Sequence, residues 1–227
     1  MHFKKNLNYL IKKHKLELIF LAEKAGITAD KLYDILGENT SVEVEVLVNL
    51  ANYFELSIDD IILKDLSKTL DLKALNIKFL VLDVDGVLTD AGMYYTESGD
   101  EMKKFNAKDG IGIIALTKSG FPVGIISHGT NTNIIERRAK KLGIERVYAG
   151  KEDKIKILKK WCKEMKLKPE NVAYIGDDIN DMDMYKEVGL SACPADAHNK
   201  VKKAAKIILT KKGGEGCVRE FIDEYLS

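Results

Sequence analysis

Cysteine is scarce in this chain. Its 227 residues hold three, Cys162, Cys193 and Cys217. They lie far apart and form no C-x-x-C pair, which argues against a zinc site and against a disulfide framework and fits a reducing compartment. Long apolar runs are missing too, and none reaches the length of a membrane span. The N-terminus is Lys-rich and amphipathic, without the apolar core of a signal peptide. Together these absences predict a cytoplasmic protein with no membrane partner. Asn39-Thr40-Ser41 spells a glycosylation sequon that means nothing without secretion. Net charge is nearly absent as well: 36 Lys+Arg against 35 Asp+Glu give +1, so no global field draws the chain to nucleic acid. What remains is an ordinary globular composition, 45% apolar and 31% charged. The length suits one large domain or two smaller ones.

The hydrophobic period changes along the chain. Residues 1–66 carry only helical spacing: Leu7, Leu10 and Ile11, then Leu18, Leu21 and Ala22, then Leu32, Ile35 and Leu36, then Val46, Leu47, Leu50 and Ala51. Gly26, Gly37 and Ser57 punctuate them, and Thr28 and Ser57 suit N-caps. About five short helices are expected. Residues 67–76 are read as a linker that can itself be helical. From Lys78, apolar strands alternate with amphipathic helices, which predicts a parallel sheet with right-handed crossovers. The strands expected are 78–83, 122–127, 146–148, 171–175, 189–192 and 206–209. The helices expected are 109–119, 131–142, 152–166, 178–187, 198–204 and 215–226. Residues 92–96 and 101–106 read as an inserted β-hairpin turning at Ser98-Gly99-Asp100.

Two acidic clusters sit at the ends of two of these strands. Asp83-Val84-Asp85-Gly86-Val87-Leu88-Thr89-Asp90 follows Phe79–Leu82, and Gly176-Asp177-Asp178-Ile179-Asn180-Asp181 follows Val172–Ile175. Ligands of open α/β sheets bind outside the carboxyl ends of the strands. A lone D-x-D can be a solvated turn. Two clusters at two strand ends make a site for a hard cation such as Mg²⁺. Gly110-Ile111-Gly112-Ile113-Ile114-Ala115 matches a dinucleotide fingerprint by letters, but it follows a hairpin rather than the first strand of a βαβ unit, and is set aside.

Residues 77–227 resemble the haloacid dehalogenase superfamily, and within it the capless 3-deoxy-D-manno-octulosonate 8-phosphate phosphatase family. The resemblance runs through Asp83 to Asp90, Gly99, Lys104-Phe105, Asp109-Gly110 and Ile125-Ile126-Ser127. It continues through Arg138, Leu142-Gly143-Ile144, Gly150, Lys154, Gly176 to Asp181 and Gly213 to Glu220. It implies a Rossmann-like doubly wound parallel sheet with an inserted hairpin, and a Mg²⁺-dependent phosphatase acting on a phosphorylated sugar acid. The substrate implied is the octulosonate 8-phosphate or a sialic-type acid 9-phosphate, which places the chain in lipopolysaccharide-type biosynthesis.

The resemblance also implies roles. Asp83 is the expected nucleophile and Asp85 the acid–base. Ser127 and Lys154 bind the phosphoryl group, with Lys151 the alternative to Lys154. The metal ligands implied are Asp83, the carbonyl of Asp85, and Asp177, supported by Asp178 or Asp181. Arg138 and Arg219 are the candidates for the substrate carboxylate. A homotetramer is implied, with Met93, Tyr94, Tyr95 and Phe105 partly at interfaces. One departure stands out. The family has Thr-Gly-Arg at its second motif, whereas this chain reads Ser127-His128-Gly129-Thr130-Asn131 without the Arg.

Residues 1–66 resemble the helix-turn-helix domain of phage-repressor type regulators through Leu18 to Ile27, Thr28 to Leu32, Leu47 to Phe54 and Ile58 to Ile62. Such domains place their second motif helix in the major groove. Here that helix presents Ala29, Asp30, Lys31 and Asp34, and residues 1–66 hold 8 Lys, no Arg and 11 Asp+Glu, a net of −3. DNA binding is therefore the lesser reading beside a protein-binding or retired module. The alternative for the whole chain is a sugar-phosphate-sensing transcription regulator.

Overall fold

The structure is a computed structural model and describes residues 2–37, 41–63, 66, 75–129 and 132–226. Asn39 and Thr40 of the sequon, most of the linker and the Thr130-Asn131 end of the second motif lie outside the described residues. The chain forms two compact units, Met1–Asp71 and Leu72–Ser227. No helix among the described residues is long and apolar enough to cross a membrane.

The first unit has five helices: α1 (Phe3–His14), α2 (Leu18–Ala25), α3 (Ala29–Gly37), α4 (Val44–Tyr53) and α5 (Ile58–Leu63). The residues singled out by their spacing meet in one core, with Leu7, Leu21, Leu32, Ile35, Leu50 and Ile61 buried. Thr28 Oγ1 accepts Lys31 N at 3.3 Å and Ser57 Oγ accepts Asp60 N at 3.0 Å, so both expected caps form. The buried polar group here is Asn6. Its Nδ2 donates to Ile61 O at 2.9 Å and its Oδ1 accepts Leu66 N at 2.8 Å, tying α1 to the end of α5.

The second unit is a six-stranded parallel sheet in the order β5-β4-β1-β6-β7-β8. The strands are β1 (Phe79–Leu82), β4 (Val123–Ser127), β5 (Arg146–Ala149), β6 (Val172–Ile175), β7 (Leu190–Cys193) and β8 (Ile207–Ile208). The helices between them are α6 (Ala107–Lys118), α7 (Thr132–Leu142), α8 (Lys154–Glu164), α9 (Met182–Glu187) and α10 (Asn199–Ala204), with α11 (Cys217–Tyr225) last. The central strands are buried on both faces, which is why they read as continuous apolar runs rather than alternating ones. Phe79, Val81 and Tyr174 pack with Leu158 and Trp161 of α8 on one face. From β1 the chain moves out to β4 and β5, then returns to the far side of β1 as β6. The strand order therefore reverses between β1 and β6, where both acidic clusters begin.

Two expectations need correction. The hairpin ladder is shorter than 92–96 with 101–106: β2 (Tyr94–Tyr95) pairs with β3 (Glu101–Met102). Phe105 pairs instead with Thr89, next to the first acidic cluster. The expected helix 178–187 is broken into a 3₁₀ turn, Ile179–Asp181, followed by α9. The break has a cause, because the Asp181 carboxylate turns back to accept the N–H groups of Asp177 and Asp178.

Candidate active site

Asp83 is the first residue beyond β1. Its amide donates to Ile175 O of β6 at 3.0 Å, and its Oδ1 accepts Val84 N at 2.7 Å. The chain then winds tightly through Val84–Leu88, with Gly86 at φ 80°. A side chain at Gly86 would run into the Asp177 carboxylate. The glycine is thus required twice, by its backbone and by the approach of the second cluster to the first.

Asp181 is the pivot of the site. One oxygen accepts Lys154 Nζ and Tyr174 OH, each at 2.6 Å; the other accepts Asp177 N at 2.9 Å and Asp178 N at 3.2 Å. Lys154 also donates to Asp83 Oδ2 at 2.6 Å, and its side chain is 2% exposed. Burial opposes the Lys154 charge, but Asp83 and Asp181 outweigh it and hold the ammonium above its ordinary range. Lys151, the alternative, is exposed.

The carboxylates crowd one another. Oxygens of Asp83, Asp177 and Asp181 lie within 4.8 Å of one another. Burial first, then the charge of Asp181, pushes Asp83 up to about 7 despite Lys154. Burial, with Asp83 and Asp181 beside it, pushes Asp177 up to about 8. A cluster held away from its charged form by like charges fits a divalent cation, which restores the carboxylates by neutralising them. Of the three, Asp181 already has four donors on its two oxygens, so Asp83 and Asp177 have the lone pairs to give.

Ser127 ends β4, one strand over, and is buried. Its Oγ accepts Gly129 N at 3.0 Å, which leaves the hydroxyl proton to donate. A Cβ on Gly129 would stand 3.3 Å from Ser127 Oγ and 3.8 Å from Asp85 Oδ2, so Asp85 and Ser127 face the same opening. His128 bridges loops, with Nε2 3.1 Å from Glu152 O and Nδ1 3.3 Å from Asn180 Nδ2.

Other candidates are turned elsewhere. Asp178 caps the 3₁₀ turn by accepting Ile179 N at 2.7 Å. Arg138 donates to Asn106 O at 3.2 Å and stacks over Phe105. Arg219 pairs with Asp223 on its own helix at 2.6 Å. The structure therefore does not bring the two arginines to the acidic cluster: Arg138 is engaged by the segment just before α6 and Arg219 by its own helix. Sequence reasoning missed two residues here. In the sequence Tyr174 is simply one residue of the strand Val172–Ile175. Lys103 was overlooked; its Nζ donates to Asp85 Oδ1 at 2.6 Å. The one signal for Lys103 was its spacing from Glu101, which puts both side chains on one face of an extended arm.

A buried lysine, a strand-end aspartate and a second acidic loop across the strand-order switch define the class. Residues 125–222 match the haloacid dehalogenase-like hydrolase family, and residues 6–63 match the Cro/C1-type HTH DNA-binding domain. The chain is 42% identical over 151 residues to the 3-deoxy-D-manno-octulosonate 8-phosphate phosphatase of Yersinia pestis, covering 66% of this chain and 80% of that one. The crystal structure of a Yersinia pestis phosphatase of that name superposes with a TM-score of 0.65 at 41% identity, covering 68% of this chain and 83% of that one. The Moraxella catarrhalis enzyme of the same name, in complex with magnesium ion, phosphate ion and KDO, gives 0.65 at 36% identity, covering 68% and 88%. The chain belongs to the 3-deoxy-D-manno-octulosonate 8-phosphate phosphatase family of haloacid dehalogenase-like hydrolases, and so to the phosphoric monoester hydrolases.

Proposed function

We propose that this protein is a Mg²⁺-dependent phosphatase of 2-keto-3-deoxy sugar acid phosphates, the octulosonate 8-phosphate or a sialic-type acid 9-phosphate, working through an aspartyl-phosphate. The observation that carries the reading is the buried Asp83–Lys154–Asp181 triad beside Asp177. It supports the reading because a carboxylate suited to attack, a fixed ammonium and a group of carboxylates suited to a cation lie together at one strand end. Asp83, the carbonyl of Asp85 and Asp177 would hold Mg²⁺, which supplies charge neutralisation so that two anions can approach.

The chain's own groups do the rest. An Asp83 oxygen forms a bond to phosphorus while the bond to the sugar oxygen breaks, and Asp85 gives its proton to that oxygen. Ser127 donates to a phosphoryl oxygen, and the Lys154 ammonium offsets the charge. In the second half Asp85 takes a proton from water as the water oxygen bonds phosphorus, and Asp83 is freed. The homotetramer belongs to the same proposal. Met93, Tyr94 and Tyr95 are 60%, 50% and 62% exposed and stand free to be covered, whereas Phe105 lies under Arg138. Arg138 and Arg219 stay candidates for the substrate carboxylate only if their present partners release them.

The test is kcat/KM with Mg²⁺ present, measured on eight- and nine-carbon keto-deoxy sugar acid phosphates beside glucose 6-phosphate and nucleotides. The sugar acids should lead. A tenfold preference for neutral sugar phosphates, about 1.4 kcal/mol in the transition state, would refute the assignment.

A further inference from the structure

Asp85 is gripped from outside the strand-end loops. Lys103 stands one residue past β3, at the foot of the hairpin's return arm. Its Nζ donates to Asp85 Oδ1 at 2.6 Å and to Glu101 Oε1 at 2.7 Å, and its side chain is only 3% exposed. Thr89 Oγ1 reaches the same Asp85 oxygen at 3.4 Å. The other oxygen, Oδ2, faces Gly129 and Ser127. One carboxylate oxygen is thus tethered to the hairpin while its twin looks into the opening where a phosphoryl group would meet Ser127.

Lys103 as a residue is half-buried, but a lysine side chain so well covered is unusual unless its charge is matched. Two carboxylates match it, at distances typical of charge-assisted hydrogen bonds. An aspartate side chain left untethered moves between rotamers and offers either oxygen, and a misplacement of about 1 Å at a reacting group costs roughly 10²-fold in rate. Glu101 sits on the same extended arm two residues earlier and holds the ammonium from behind. The hairpin therefore supplies more than surface.

We infer that Lys103 is a positioning residue for the phosphatase reaction: it clamps Asp85 Oδ1 so that Oδ2 alone meets the leaving oxygen, and Glu101 steadies the clamp. The inference rests on the proposed role of Asp85. The hairpin's geometry is thereby coupled to proton delivery, so that whatever orders the hairpin also sets the acid.

The leaving group makes the test. A sugar oxygen needs a proton to depart, whereas p-nitrophenolate leaves as the anion. The ratio kcat/KM covers only the steps through that departure. Lys103→Met should lower kcat/KM on the sugar acid phosphate by about 10²-fold, the lower end for general acid catalysis, and leave p-nitrophenyl phosphate within about threefold. Lys103→Arg should recover part of the loss. Combined with Asp85→Asn, Lys103→Met should add nothing on the sugar acid. Glu101→Gln, which keeps the arm intact, should give a smaller loss with the same substrate bias and serves if Lys103→Met does not fold. Equal losses on both substrates, or a full additional loss on top of Asp85→Asn, would overturn the inference and make Lys103 a structural residue. Full activity of Asp85→Asn on the sugar acid would instead overturn the role given to Asp85.

Discussion

Among the described residues of the helical unit, Asn6 is the one buried polar or charged side chain; the α/β unit buries Asp83, Thr89, Asp109, Ser127, Lys154, Asp181 and Ser191. The two units solve different problems. Asn6 has backbone partners on both sides, so its burial only stitches helices together. The α/β unit instead holds carboxylates against one another at a cost in stability, an arrangement that pays only where charge is needed for chemistry. The surfaces differ in the same sense. The exposed side of α3, the helix that a repressor would insert into a groove, presents Asp30, Tyr33 and Asp34. Its Lys31 is already paired with Glu43 at 2.7 Å. Phosphate contacts need cations, and the exposed side of α3 presents more acid than base.

The contrast is broken most sharply at Asp83. Asp83→Asn should lower kcat by roughly four orders of magnitude or more, the scale for losing a nucleophile, with both units still folded by circular dichroism. Wild-type turnover in that variant would remove the covalent step from the mechanism.

Metal removal comes next. Exhaustive chelation should abolish activity and Mg²⁺ should restore it, while Ca²⁺ should inhibit, since it prefers more oxygen ligands at longer, looser distances. The thermal transition of the α/β unit should fall on chelation and that of the helical unit should not, because the crowded carboxylates belong to one unit alone. Activity that survives chelation would mean that Lys154 suffices to neutralise the cluster.

Asn6 tests the other side. Asn6→Ala leaves the Ile61 carbonyl and the Leu66 amide without their side-chain partner. It should lower the stability of the helical unit by about 1–3 kcal/mol. The phosphatase kcat/KM should stay unchanged, since the two units have separate cores. A parallel loss of activity would show that the helical unit supports the site.

How legible all this was depends on where the determining contacts lie along the chain. The strands ending in Asp83 and Asp177 stood out because parallel strands buried on both faces are unbroken apolar runs, and an acid after such a run is conspicuous. The helical core was legible from Leu7 to Leu50 because the 3.6-residue period is local. The pivot role of Asp181 was not, since it depends on Tyr174, Lys154 and two amides meeting across 27 residues. Lys103 was hidden for the same reason, its partner Asp85 standing 18 residues away on another element. Arg138 and Arg219 were named because arginine suits a carboxylate, but sequence does not say which way a helix turns its faces. The hairpin was seen and its ladder overestimated, because Phe105 pairs with Thr89 rather than along the hairpin.

The smallest effect sharpens the comparison within the α/β unit itself, at a carboxylate buried away from the acidic cluster. Asp109 lies in the first turn of α6, and its Oδ1 accepts Arg219 N at the start of α11 at 2.8 Å. The N-cap of α11 is Gly216, which has no side chain to cap with, so another helix lends the oxygen that a Ser or Asp would normally provide. Burial is the stronger influence and pushes Asp109 above its ordinary 3.8, while the α11 amides pull it back. A carboxyl raised in the folded state binds its proton more tightly folded than unfolded. Its contribution to stability therefore falls as pH rises from the unfolded value through the raised one, and is level above that. Asp109→Asn keeps the acceptor and removes the titration, whereas Asp109→Ala removes the cap and should cost about 0.5–2 kcal/mol at every pH. Urea denaturation of wild type and Asp109→Asn from acid to neutral pH should show the wild type losing ground to the variant across that window and then running parallel. A wild type that gains on the variant as pH rises would reverse the sign, and would mean that the amides of α11 outweigh burial and hold Asp109 as a carboxylate, unlike Asp83 and Asp177, which burial and like charges push the other way.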